Sequence, residues 1–267
     1  KQGTNSDTKD VTGSIAGIIG MDTLSFTGDE LELTDEEKKE GLTLPKKAAQ
    51  IDAQAAKEGA IITLSSHMPN FEIVKNKELV DGKYDYSGYS PNKTSGNIVS
   101  RIMPGGDLNE VYTGYLDLIA EYADELQKEN VPVLFRPFHE NNGSWFWWGK
   151  DLCSSEQYKT LWRMTNDRLR LKGVNNVLLA YSPGMESDTV EEYLERYPGD
   201  DIIDVLGTDV YQFERSQYIK QLNKMLTILT EAGKKHDKPI ALTETGLEGI
   251  PDSLWWTGTL LPVIEKY

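Results

Sequence analysis

The chain has 267 residues, 28 of them basic and 43 acidic, for a formal charge of −15. That length suits one barrel-sized domain or two smaller ones with ample core, and the acidic balance argues against nucleic acid and anionic membranes, which need basic patches. Cys153 is the only cysteine, so no internal disulfide can form. No apolar run reaches bilayer length. No secretory signal pattern begins at Lys1.

Short apolar runs rich in β-branched residues read as strands at 16–21 (AGIIGM), 61–65 (IITLS), 131–135 (VPVLF), 177–181 (VLLAY), 204–208 (DVLGT) and 239–243 (PIALT). Runs this continuously apolar suit a parallel sheet covered on both faces. Between and after them, helical patterns fall at 45–58, 108–130, 155–172, 190–196, 217–236 and 253–265. The alternation predicts an α/β fold with crossover helices. Residues 68–107 form a long Gly-, Asn-, Ser-, Tyr- and Pro-rich connection with a short helix expected near 72–80. It reads either as a surface excursion or as one wall of a cleft. With no repeat and no low-complexity linker, residues 1–267 are expected to form a single domain.

Polar and aromatic residues gather just after five of these runs, as SSHMPNF, RPFHENNG, YSPG, TDVY and TETG. In a closed barrel all strand ends point to one mouth, whereas a doubly wound sheet uses only its switch point. The pattern therefore predicts a (β/α)8 barrel of the TIM type. No GxGxxG or phosphate loop follows any strand, which disfavours a nucleotide site. Only three histidines occur and none forms an H-x-H pair, so neither a metal nor any other cofactor is expected.

The stretch Arg136 to Gly149, RPFHENNGSWFWWG, places Glu140 just past a strand and follows it with Trp145, Phe146, Trp147 and Trp148. A carboxyl among indoles is desolvated and holds its proton to higher pH. Such a group can protonate a glycosidic oxygen, and indole faces stack on sugar rings. The alternative, an aromatic core around a structural glutamate, fits less well because Asn141, Asn142, Gly143 and Ser144 intervene. A second carboxylate, Glu244, ends the last strand in TETG. Two carboxyls are what glycoside hydrolysis requires, and a separation of about 5–5.5 Å implies retention of configuration.

RPFHENNGSWFWWG resembles the signature of glycoside hydrolase family 26, and TETG resembles that family's nucleophile segment. The order of segments from Val11 to Tyr267 is similar as well. The resemblance implies a retaining endo-β-1,4-mannanase acting on mannan, glucomannan or galactomannan, with Glu140 as acid/base and Glu244 as nucleophile. It further implies that His67, His139, Trp145, Trp148 and Tyr211 bind substrate, with Tyr211 hydrogen-bonded to the nucleophile. Read from the residues alone, His67 is better taken as a structural histidine, and Tyr211 is open to a rim-packing role. Arg136 is expected to pair with an acidic group inside the barrel, Asp209 either to bind sugar or to brace a loop, Trp162 to sit in the core, and His236 to be solvated. In the family's order the six runs are strands two to seven, so the first and eighth strands are not visible in this sequence. The substrate class implies a secreted or cell-surface enzyme with no nucleic-acid partner and no membrane insertion; a monomer is expected. Rival readings keep the fold and act on β-1,3-xylan or mixed-linkage β-glucan, or bind glycans without cleaving them.

Overall fold

The computed structural model describes residues 7–93 and 96–267, so residues 1–6 of the expected domain and two positions of the long connection lie outside the described residues. Six parallel strands, β1 (Ile18–Asp22), β2 (Ile61–Ser65), β3 (Val133–Arg136), β4 (Val177–Tyr181), β5 (Val205–Gln212) and β6 (Ile240–Leu247), lie side by side in chain order. Among the described residues ten α-helices accompany them: α1 (Asp7–Thr12), α2 (Asp35–Lys39), α3 (Leu44–Lys57), α4 (Phe71–Lys75), α5 (Ile98–Ile102), α6 (Asn109–Lys128), α7 (Ser155–Leu171), α8 (Val190–Tyr193), α9 (Arg215–His236) and α10 (Leu261–Ile264). Consecutive parallel neighbours joined by helices make a sheet that curls in one direction. Among the described residues β1 and β6 each have a single strand neighbour.

Local chemistry explains where the elements begin and end. β3 starts after Pro132, which has no N–H to give to a ladder, and the Val133 N–H donates to the Asn176 carbonyl at 2.9 Å. Thr43 caps α3 ahead of Pro45 in its first turn, and Ser154 with Gln157 forms a capping box at α7. The helix expected over 253–265 is instead a wide π turn, Trp256–Leu260, followed by α10. Pro262 cannot donate within that stretch, which interrupts a regular ladder. The helix expected over 190–196 ends at Tyr193, and that expected over 72–80 is the single turn α4.

The larger departure concerns β5 and β6, both of which run four residues past the expected ends. Their pairing slips between Thr208 and Asp209: Thr208 lies opposite Leu242, but Asp209 lies opposite Glu244. Thr243 is thus an extra residue in a β-bulge, the device that re-aims side chains at strand ends. Ordinary alternation would send neighbouring Thr243 and Glu244 to opposite faces. Here both reach the inner cluster described below.

The core lies between the outer face of the sheet and the helices, where Leu64, Phe135 and Leu179 meet Leu116, Ile119 and Leu161. Behind β3 an edge-to-face aromatic block of Phe71, Phe138, Trp147, Trp148, Tyr158 and Trp162 fills the space. Trp162 is buried there, as expected. The 68–107 connection is anchored on this block: the Trp147 indole donates to the Met68 carbonyl at 3.2 Å and its backbone N–H to the Pro91 carbonyl at 3.0 Å. Gly114 of α6 leaves room for the Tyr86 hydroxyl, which donates to the Val111 carbonyl.

Candidate active site

Glu140 follows β3 through a tightly constrained segment. Phe138 and Glu140 both have φ of 53°, a left-handed conformation that costs a non-glycine residue energy. Three hydrogen bonds from separate elements offset that cost. Tyr158 of α7 donates to the Phe138 carbonyl at 2.8 Å, the Trp148 indole donates to the His139 carbonyl at 2.8 Å, and the Glu140 N–H donates to the Ser182 carbonyl at 2.8 Å. The segment is thereby pinned from both sides of β3.

The Glu140 carboxylate accepts a 2.7 Å hydrogen bond from the Trp145 indole. That indole lies on the backbone of Gly143, where any Cβ would sit 2.2 Å from the ring. Burial pushes the Glu140 pKa up, the Trp145 bond pulls it back, and the negative charges of Glu244 and Glu186 push it up further. The net direction is upward, toward a carboxyl that keeps its proton.

Glu244 is held differently. One oxygen accepts from the Arg136 guanidinium and the other from the Tyr211 hydroxyl at 2.9 Å. Arg136 also donates to Asp209 at 2.9 Å. Burial opposes the Arg136 charge, but Asp209 and Glu244 outweigh it and hold the proton more firmly. Asp209 is fully enclosed; burial pushes its pKa up against the pull of Arg136, and it also accepts from Ser182 at 2.7 Å and Thr243 at 2.6 Å. Gly207 makes this cluster possible, since a Cβ there would lie 2.5 Å from the Thr243 methyl.

One oxygen from each of Glu140, Asp209 and Glu244 lies within 4.8 Å of the others. Three carboxylates so close repel one another unless a cation is shared, and the Arg136 guanidinium supplies that charge. Beside Glu140 a cavity of about 340 Å³ opens between Trp145, Gly184, Met185, Tyr211 and Phe213. Trp145 and Tyr211 are both about two-fifths exposed, at 43% and 42%, so each offers a face to a ligand.

The remaining expected residues divide. His67 is partly exposed and donates from Nδ1 to Asp22 at 2.8 Å. Tyr89, from the long connection, packs near its ring at 5.8 Å, so that connection borders the cleft. His139 is buried, with Nε2 3.2 Å from Nε2 of His67; burial, then the nearby Arg136 and His67 charges, hold it neutral. Trp148 departs from its expected role. It is wholly buried, stacked on Phe146 and bonded to the His139 carbonyl, so it supports the site from behind and presents no face to a sugar. His236 is not freely solvated either, because Nδ1 bonds Asp200 at 2.9 Å. Asp209 is a brace for Arg136. Asp22, Ser182 and Thr243 were not singled out from the sequence, although each sits at a strand end of the kind that flagged the others.

The model for Glycosyl hydrolase family 26 matches residues 1–254. A mannan endo-1,4-beta-mannosidase from Bifidobacterium adolescentis is 34% identical over 258 residues, covering 92% of this chain and 24% of its own length. A solved GH26 beta-mannanase from Bacteroides ovatus is 59% identical with a TM-score of 0.79, covering 99% of this chain and 72% of that one. The catalytic domain of a GH26 endo-beta-1,4-mannanase from Bacillus sp. JAMB-750 is 35% identical with a TM-score of 0.82, covering 99% of this chain and 67% of that one. The chain spans only 24% and 38% of the length of the Bifidobacterium relative and of a second one from Caldalkalibacillus mannanilyticus. On the strength of the matched length and the shared fold, the chain belongs to glycosyl hydrolase family 26.

Proposed function

We propose that the chain is the catalytic part of a retaining endo-β-1,4-mannanase, with Glu140 as acid/base and Glu244 as nucleophile. The observation that carries this reading is the approach of the two carboxylates to within 4.8 Å, oxygen to oxygen. Retaining pairs stand about 5–5.5 Å apart, whereas inverting pairs leave roughly 6.5–9.5 Å for a water. The contrasting environments support the division of labour. Glu140, pushed toward its protonated form, donates to the leaving oxygen; Glu244, oriented by Arg136 and Tyr211, attacks the anomeric carbon. Glu140 then takes the proton of the incoming water. Trp145 and Tyr211 flank the cleavage point, and His67 faces the same cleft.

The mannan specificity follows the relatives, several of which are mannan endo-1,4-beta-mannosidases. The whole protein in this reading closes an eight-stranded barrel with two strands beyond the six described, forms one catalytic domain and acts as an extracellular monomer. Among the described residues no helix is long and apolar enough to cross a membrane.

The test is product analysis on mannan, galactomannan, β-1,3-xylan and mixed-linkage β-glucan. Release of manno-oligosaccharides with a retained anomer is expected. Glu140→Gln and Glu244→Gln should each lose at least about 10³-fold in kcat with the fold intact. Azide should restore turnover to Glu244→Ala with inverted product. Normal turnover by either glutamine variant overturns the assignment.

A further inference from the structure

At the C-terminal end of β1, the Asp22 carboxylate is enclosed by donors. Oδ2 accepts from the Ser65 hydroxyl at 2.7 Å and from Nδ1 of His67 at 2.8 Å. Oδ1 accepts from the N–H groups of Leu24 at 3.0 Å and His67 at 3.2 Å. Burial alone would raise the pKa of this group, but the bonds from His67, Ser65 and Leu24 and the His67 charge outweigh it, and the net direction is down. An ionised carboxylate only accepts, so Nδ1 of His67 carries a proton. That is the less common position for the proton of a neutral histidine in water.

The other end of the His67 ring meets His139, Nε2 to Nε2, at 3.2 Å with the rings edge to face. One nitrogen must donate and the other accept. His139 is buried and held neutral, and its Nδ1 has no partner. The groups facing His67 also set how readily it takes up a second proton. Burial works against its charge; Asp22 on β1 and Glu244 on β6 favour it, Arg136 on β3 opposes it, and the net direction is up. Tyr89 from the long connection and His139 itself bring no charge. With its Nδ1–H held by Asp22, the neutral His67 ring accepts at Nε2 from the Nε2–H of His139, and the unpartnered Nδ1 of His139 is then a bare lone pair and not a buried N–H.

We propose that Asp22 is a positioning residue for the reaction: by fixing a proton on Nδ1 of His67 it leaves Nε2 of that ring as the acceptor for the Nε2–H of His139, and this bond, together with the Trp148 bond to the His139 carbonyl, locks the Phe138–Glu140 segment that carries the acid/base carboxyl. The proposal rests on the reading of Glu140 as acid/base. Asp22 touches no reacting atom. It acts through two imidazoles on the aim of Glu140, which delivers its proton only in the transition state. Loss of the Asp22 charge is therefore expected in kcat and not in KM.

Three histidines make the imidazole signals of this chain tractable. Nitrogen-15 NMR of the unmodified protein, assigned with His236→Gln and His67→Gln, should find His67 protonated at Nδ1 on both sides of its titration and titrating above the ordinary 6.5. His139 should stay neutral throughout the titration of His67. In Asp22→Asn the His67 titration should fall by about one unit or more, and kcat on mannan should fall about tenfold with KM within about twofold. A His67 that is neutral with its proton on Nε2, or an Asp22→Asn enzyme with full kcat, overturns the proposal. Should Asp22→Asn fail to fold, the tautomer in the unmodified protein decides alone. A protein inactive on every glycan defeats the hydrolase reading instead, and leaves the proton placement to be judged by the His67 signal.

Discussion

Glu140 and Glu244 are the same residue type a few ångströms apart, and their partners separate their roles. Trp145 gives Glu140 one neutral N–H, while Arg136 gives Glu244 a full positive charge. The Trp145 bond favours the ionised form of Glu140, against the upward push of burial and of neighbouring Glu244 and Glu186. Removing the donor in Trp145→Phe therefore raises the Glu140 pKa further. An acid/base protonated to higher pH carries the alkaline limb of kcat/KM upward, so that limb should move up by about half a unit to one unit even as the maximum rate falls. A downward shift in the measured pH–rate profile would contradict the environment described for Glu140. The position of these two carboxylates just past strand residues was legible in the sequence, since each follows an apolar run. Their contrasting partners were less so, because Arg136 lies 108 positions from Glu244 in the chain.

At the level of strands and helices, two local irregularities matter. The bulge at Thr243 lets adjacent Thr243 and Glu244 serve one cluster, and Gly207 across the ladder provides the space. Gly207→Ala should press on Thr243, which is held by Asp209 and Ser182. A cost of about 1–3 kcal/mol in denaturant unfolding, with lower turnover, is the expected result. The second irregularity is Asp52 of α3, wholly buried, with Tyr122 of α6 as its hydrogen-bond donor and Oδ1 unpartnered. Burial raises its pKa from 3.8 to about 6. A folded pKa above the unfolded one means that the folded state binds this proton more tightly, so its stabilising contribution is present below pH 3.8 and is lost as pH rises through about 6. Asp52→Asn should then melt higher than the parent at pH 8, by up to about 3 kcal/mol, and match it near pH 3.5. Equal melting temperatures at pH 8 would show that Asp52 is not a buried charge there. Neither irregularity was visible from periodicity: a bulge is a mismatch between two strands, and a buried aspartate on a helix reads locally as a polar position.

Across the molecule, the charge of −15 is a property of the surface, whereas the cleft chemistry is set by groups within a few ångströms. A neutral polysaccharide gains nothing from long-range attraction. The kcat/KM on mannan should therefore change less than about twofold between low salt and physiological ionic strength, where exposed charges beyond about 8 Å are screened. A steep fall with salt would point to a charged substrate. The curled six-stranded sheet gathers the ends of β1, β3, β5 and β6 at one mouth, bringing Asp22, Arg136, Asp209 and Glu244 together from widely spaced segments. The parallel α/β order and the strand-end chemistry were both readable from the sequence, and the family match bears out the resemblance.

Short-range chemistry in the chain determined the alternation of buried strands and amphipathic helices, the caps that start the helices, and the carboxylates that end β3 and extend β6. Those depend on residues a few positions apart, where propensity and period act. Only the tertiary structure decided which aromatic faces the cleft and which braces it from behind, that Asp22 rather than solvent accepts the hydrogen bond from Nδ1 of His67, and that Arg136 bridges two acids. These are properties of distance and burial between segments far apart in the chain, and a linear pattern of residue types carries neither quantity.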